Sequence, residues 1–209
     1  MAKIHPRVPE ITENQRAPEE GAQPVSLTVW NKSLLFNSKG FTVYDSNGNL
    51  VFRVDNYACN PTSEMILMDA TGNDLLVLKR KRFSIRRQWQ GFCENNRIFR
   101  MKKSTRRWWL SGKKKTLAKI SLNSSKNPEF YVEGSFSKKS CAVYNSAGGV
   151  VAEVKRKQAA TTSPSACNCM LQADVFSLVV HPGYDQKMVM GFVISLDSLS
   201  KKPTFLRRL

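Results

Sequence analysis

The residues best suited to chemistry in this chain are cations. Between Lys79 and Lys119 there are 16 Lys plus Arg and a single acid, Glu94, a local net charge of +15 in 41 residues. The other 168 residues carry 17 basic and 15 acidic groups, a net of +2. One group comprises Lys79, Arg80, Lys81, Arg82, Arg86 and Arg87. A second comprises Lys102, Lys103, Arg106, Arg107, Lys113, Lys114 and Lys115, with Trp108 and Trp109 inside it. Concentrated like charge repels itself unless an anion offsets it. Anionic lipid attracts such clusters at about 1 kcal/mol per side chain, so six well-placed cations supply about 6 kcal/mol, enough for reversible attachment. Tryptophan, with an apolar ring and one polar N–H, suits the headgroup region, and Trp108 and Trp109 are candidate shallow anchors. The same composition suits single-stranded nucleic acid, whose bases stack on rings and whose phosphates meet Lys and Arg. The plainer alternative is a solvated or protein-binding surface over a core that holds the tryptophans. All three readings stand at this level.

Other chemistries have little material. The only histidines are His5 and His181, too few for a Ser-His-Asp or Cys-His arrangement and a poor start for a zinc site. Cys167 and Cys169 are one residue apart, which is not zinc-hairpin spacing, and no phosphate-cradling G-x-x-x-x-G-K run occurs. Asp45-Ser-Asn-Gly-Asn49 resembles the start of a calcium loop but lacks the closing glutamate, and a hairpin turn explains it better. No metal, no cofactor and no catalytic residues are expected. The first 24 residues read as a flexible polar tail without the charged-then-apolar pattern of a secretory signal, so the five cysteines are expected to be reduced thiols. Gly does not follow Met1 and the ending Arg207-Arg208-Leu209 is not a prenylation box, so neither lipid anchor is expected.

The elements that must position the cations are mostly strands. Phe41–Val54, Ile66–Leu78 and Ala142–Val154 repeat one device: an apolar run, then Asp or Asn with Gly three residues later, then a second apolar run. The Asx side chain bonds the backbone ahead of it and Gly takes the positive φ that closes the turn, so each segment predicts a hairpin. Further strands are expected in Leu27–Phe36, Phe83–Gly91, Lys115–Leu122, Phe130–Phe136 and Met170–Val180, with loops at Asn123–Pro128 and Gln158–Cys169. So many strands without alternating helices point to an antiparallel sandwich or barrel.

Asp185–Leu199 departs from this pattern. It follows a His181-Pro-Gly183 breaker, Asp185 is placed to cap a helix, and the apolar residues Met188, Val189, Met190, Phe192, Val193, Ile194 and Leu196 occupy every face of a helical wheel. A helix apolar all round lies inside a protein or a membrane, and a run of about nine is well short of the roughly 18 needed to span a bilayer. The expectation is a helix threaded through a barrel of strands.

The segments Leu27–Phe36, Gly40–Tyr57, Leu75–Trp89 with its Lys-Arg-Lys-Arg centre, and Val180–Asp197 resemble the plant LURP-one-related family, over roughly Val25 to Leu199. That resemblance implies a mainly β, tubby-like fold: a closed antiparallel barrel of about twelve strands around a central hydrophobic C-terminal helix. Phospholipid scramblases are placed in the same superfamily, but no acidic calcium segment or membrane span of their kind occurs here, so lipid scrambling is not expected. The family carries no established catalytic residues to transfer. Its members are linked to plant defence and have been likened to membrane-tethered transcription factors of the tubby type.

Together these readings lead to one LURP-one-related domain over 25–209, a monomer without a transmembrane span. It is expected in the cytoplasm, peripheral at the plasma membrane and able to enter the nucleus. Its leading partner is the anionic phospholipid headgroup, phosphoinositides above all; the alternative is a regulator that binds nucleic acid or protein without touching lipid.

Overall fold

The computed structural model describes residues 22–31, 40–55, 64–81, 87–104, 116–123, 125, 127–157 and 174–201. Its first six strands are β1 (Val25–Trp30), β2 (Phe41–Tyr44), β3 (Leu50–Asp55), β4 (Glu64–Asp69), β5 (Asp74–Arg80) and β6 (Gln88–Cys93). The next six are β7 (Asn96–Lys103), β8 (Thr116–Leu122), β9 (Phe130–Ser135), β10 (Ser140–Asn145), β11 (Val150–Arg156) and β12 (Val175–Val180), followed by helix α1 (Gln186–Ser200). Each strand pairs antiparallel with its sequence neighbours, and β1 pairs with β12 from Val25↔Val180 to Trp30↔Val175, closing a twelve-stranded barrel. Among the described strands closure leaves no exposed edge.

The three Asx–Gly segments form the β2–β3, β4–β5 and β10–β11 hairpins. In the first, Asp45 Oδ1 accepts from the backbone N–H of Asn47 and Asn49, both at 2.8 Å, and Gly48 sits at φ 84°. Asp69 with Gly72 and Asn145 with Gly148 repeat this, and each hairpin carries a register shift beside its turn. A tight turn closed by a residue of positive φ leaves one extra residue to absorb as a bulge.

One strand had no warning in the sequence. β7 follows β6 through a two-residue loop, Glu94 and Asn95, both at positive φ (47° and 67°). Such a turn normally advertises itself with glycine. Here a glutamate and an asparagine hold it, so the hairpin passed unseen.

α1 starts as expected: the Asp185 carboxylate accepts from Lys187 N–H at 3.0 Å. Val189 to Leu196 are buried without a break, and Met188 is half-buried. An eight-stranded barrel is filled by its own side chains; twelve strands enclose more, and a helix about 10 Å across takes up the difference. Among the described residues no helix is long and apolar enough to cross a membrane.

Wall and helix meet most closely at one ring. Gly91 on β6 lies opposite Phe99 on β7, and a Cβ at Gly91 would stand 2.2 Å from Phe99 Cε1. On the other side a Cβ at Gly191 would stand 2.5 Å from Leu76 Cδ2 and 3.1 Å from Phe99 Cε1. The missing side chains let the fully buried Phe99 bridge wall and helix, edge-on to Phe192 with centroids 4.9 Å apart. Gly91→Ala is expected to lower the unfolding free energy by about 1–3 kcal/mol through overpacking, and Phe99→Ala by about 3–5 kcal/mol. In urea denaturation the double variant loses less than the sum, because removing the ring makes room for the methyl.

Candidate basic mouth of the barrel

The up-and-down order sends the β1–β2, β3–β4, β5–β6, β7–β8, β9–β10 and β11–β12 connections to one end of the barrel, together with the C-terminus of α1. Lys79, Arg80 and Lys81 end β5 or follow it, Arg87 precedes β6, and Lys102 and Lys103 end β7. Register joins them: Lys81 N–H donates to Gln88 C=O at 3.1 Å, Lys103 N–H to Arg87 C=O at 3.1 Å, and Gln88 pairs with Lys102. Six of the thirteen cations singled out from the sequence therefore sit together at one mouth. Arg82, Arg86, Arg106, Arg107, Lys113, Lys114 and Lys115, with the anchor candidates Trp108 and Trp109, lie outside the described residues. Trp89, which shares their segment, is buried in the core.

The six divide by what they touch. Arg87 faces inward and caps α1: its guanidinium donates to the carbonyls of Ser198 (2.6 Å), Leu199 (3.0 Å) and Lys201 (2.6 Å). Lys103 Nζ reaches the Leu199 carbonyl at 3.4 Å. The last carbonyls of a helix have no partners within it and carry the negative end of its dipole, so cations there are structural. Burial, and secondly the like charge of Arg80, lowers the Arg87 guanidinium from its ordinary value. Lys79 lies 3.6 Å from Glu64, both at the surface. Arg80, Lys81 and Lys102 are exposed.

Two cations here were not singled out from the sequence, because only the barrel brings them near. Lys201 pairs with Asp197 one helical turn back. Lys139, in the β9–β10 turn, is buried with its Nζ 4.0 Å from the Phe136 ring centroid and 4.2 Å from that of Phe176. Burial lowers its pKa, Asp197 opposes that shift, and Lys201 adds to it. Beside it the Cys141 thiol is pushed up to about 11 by burial. Among the described residues no group of three or more His, Cys, Asp or Glu is placed to hold a metal ion. What this mouth offers is positive charge around a capped helix end, an arrangement able to hold phosphates.

Arg87→Ala is expected to cost about 2–3 kcal/mol of stability in urea unfolding, while Arg80→Ala and Lys81→Ala stay within about 0.5 kcal/mol. Lys139 makes a second prediction. Between its lowered native pKa and its ordinary 10.5 the unfolded chain binds more protons than the native one. Its contribution to stability therefore rises with pH through that alkaline window. Lys139→Met removes the rise, read as the difference between parent and variant unfolding free energies across alkaline pH. The opposing fall from Cys141 deepens in the variant, because Lys139 holds the thiol pKa down in the parent, and so widens the difference in the same direction.

A family profile described as LURP-one-related matches residues 25–197. LURP-one-related 8 of Arabidopsis thaliana is 36% identical over 204 residues, covering 95% of this chain and 98% of that protein. LURP-one-related 5 of the same plant is 40% identical over 183 residues, covering 83% and 82% respectively. An X-ray structure of an Arabidopsis thaliana protein covers 85% of this chain and 92% of its own, with TM-score 0.60 at 22% identity, a likeness of fold. Profile, full-length relatives and barrel agree, and the chain belongs to the LURP-one-related family.

Proposed function

We propose that the chain is a non-catalytic membrane-surface module whose basic mouth binds anionic lipid headgroups, phosphoinositides foremost. It acts as a peripheral regulator at the cytoplasmic face of the plasma membrane, in keeping with the defence role that family resemblance suggests. The observation that carries this reading is the convergence of Lys79, Arg80, Lys81, Lys102 and Lys103 on one end of a closed barrel. Lys103 is partly engaged by the helix end, so at about 1 kcal/mol per cation near an anionic surface the other four supply about 4 kcal/mol, a roughly millimolar attachment that a second signal can tune. Arg87 is left out of that sum because the helix end already holds it.

Co-sedimentation with phosphatidylcholine vesicles containing phosphatidylinositol bisphosphate is expected to capture the chain, and vesicles of phosphatidylcholine alone are not. Raising salt from about 0.1 M to about 1 M shortens the screening length from about 10 Å to about 3 Å and should release it. Arg80→Glu and Lys81→Glu each remove about 2 kcal/mol, roughly a thirtyfold loss of partition, without lowering stability. Capture indifferent to anionic lipid and to salt overturns the proposal. Capture of DNA with a steep log–log salt dependence, and of no vesicle, would instead establish the nucleic-acid alternative.

A further inference from the structure

The charges of the barrel are sorted along its axis. At the mouth where α1 ends, the six cations described above are joined by Lys138, Lys139, Lys155, Arg156, Lys157 and Lys201, against the acids Asp55, Glu64, Asp174, Asp197 and Glu153, which pairs with Lys155. Among the described residues that end is thus 12 minus 5, or +7. The opposite end holds the Asx turns and the start of α1, with Asp45, Asp69, Asp74, Glu94, Glu129 and Asp185 against Arg97, Lys187, Arg53, whose guanidinium lies against Gly72 of the Asp69 turn, and Arg100, whose guanidinium donates to Ser125 C=O. That end is 4 minus 6, or −2. Up-and-down connectivity makes the division physical, since alternate connections must fall at opposite ends.

Two acids of the opposite end are held ionised. Asp45 and Asp69 sit in nets of donors, each accepting from the side chain and backbone of the asparagine four residues on. These hydrogen bonds hold both carboxyls below the usual carboxylate range, for Asp45 through Asn49 first and for Asp69 through Thr71 first. The dipole of α1 does not cancel the mouth. Its negative end amounts to about half a charge, against a net of +7.

Resting on the lipid-binding reading above, we infer that the barrel docks end-on, its whole basic rim facing the anionic membrane and its acidic turns held away from it. Magnitudes favour this pose over a side-on one. α1 has 15 residues, about 22 Å along its axis, while the screening length at physiological salt is about 8 Å. End-on docking puts the rim within one screening length of the lipid and the acidic end beyond two. Side-on docking uses the outer wall of β7 and β8, where Lys102 pairs in register with Lys119, and brings the acidic end as close as the basic one. Each acid so placed costs what a cation contributes. The rim also extends past the β5–β8 segment that holds the sequence cluster: Lys138 and Lys157 lie at the β9–β10 and β11–β12 connections.

Lysine acylation read by mass spectrometry tests this on the unmodified full chain, bound to vesicles of phosphatidylcholine with phosphatidylinositol bisphosphate. An ammonium stabilised by about 1 kcal/mol presents about fivefold less free amine to an acylating reagent. Lys81, Lys138 and Lys157, spaced around the rim and all exposed, are expected to react about fivefold more slowly on vesicles. Lys187 at the acidic end, also exposed, keeps its rate. Slowing of Lys119 together with Lys81, while Lys138 and Lys157 stay unchanged, shows docking on the wall and overturns the end-on pose with lipid binding intact. A chain that fails to co-sediment in the same samples, with no lysine slowed, overturns the lipid reading itself.

Discussion

Val189 to Leu196 turn apolar atoms to every side of α1, and neither a single sheet nor a partner helix can cover a rod of that kind. A wall that meets itself can. Closure of β1 on β12 supplies the last side of the sheath, and twelve strands make the lumen wide enough for a helix. The contact is tight rather than merely greasy. Gly91 and Gly191 give way on both sides of Phe99 so that its ring touches wall and rod at once.

Enclosing a helix creates a problem at each of its ends, where backbone groups have no partners inside the helix. At the start, Asp185 accepts an amide, and Tyr184, just outside, takes a hydrogen bond from the Asn145 side chain at 2.9 Å. At the finish, the carbonyls emerge at the barrel rim and Arg87 answers three of them. Some of the positive charge that suggested a ligand thus belongs to the architecture. Arg87 and Lys103 serve the helix, Lys139 is packed between two phenylalanine rings, and Arg80, Lys81 and Lys102 remain turned to solvent. The same end of the barrel is a helix cap inside and a cationic rim outside.

Much of this was legible in the residues, where the determinants are local. The Asp45, Asp69 and Asn145 turns announce themselves because an Asx side chain and a glycine three positions on are jointly required. The helix is legible because no strand or surface helix needs an apolar residue on every face. The β6–β7 hairpin is not, since Glu94 and Asn95 adopt positive φ without glycine. Nor is the capping role of Arg87, whose partners lie 111 to 114 residues further along the chain. In the sequence Arg87 is one more cation in a basic run. The sorting of charge between the two ends depends on which connections fall where, and that parity exists only once the strand order does. Family resemblance named the barrel; it did not say which cations the helix would claim.

Native-state hydrogen exchange tests the sheathed-helix account most directly. If α1 is enclosed by a closed wall, the amides of Val189 to Leu196 cannot meet solvent until the wall opens. Their exchange should then report the same opening free energy as the amides of β1 and β12, equal to that of global unfolding. Exchange of the helix amides at a clearly lower free energy, while the wall stays protected, would mean that the rod leaves without the barrel and would contradict the account.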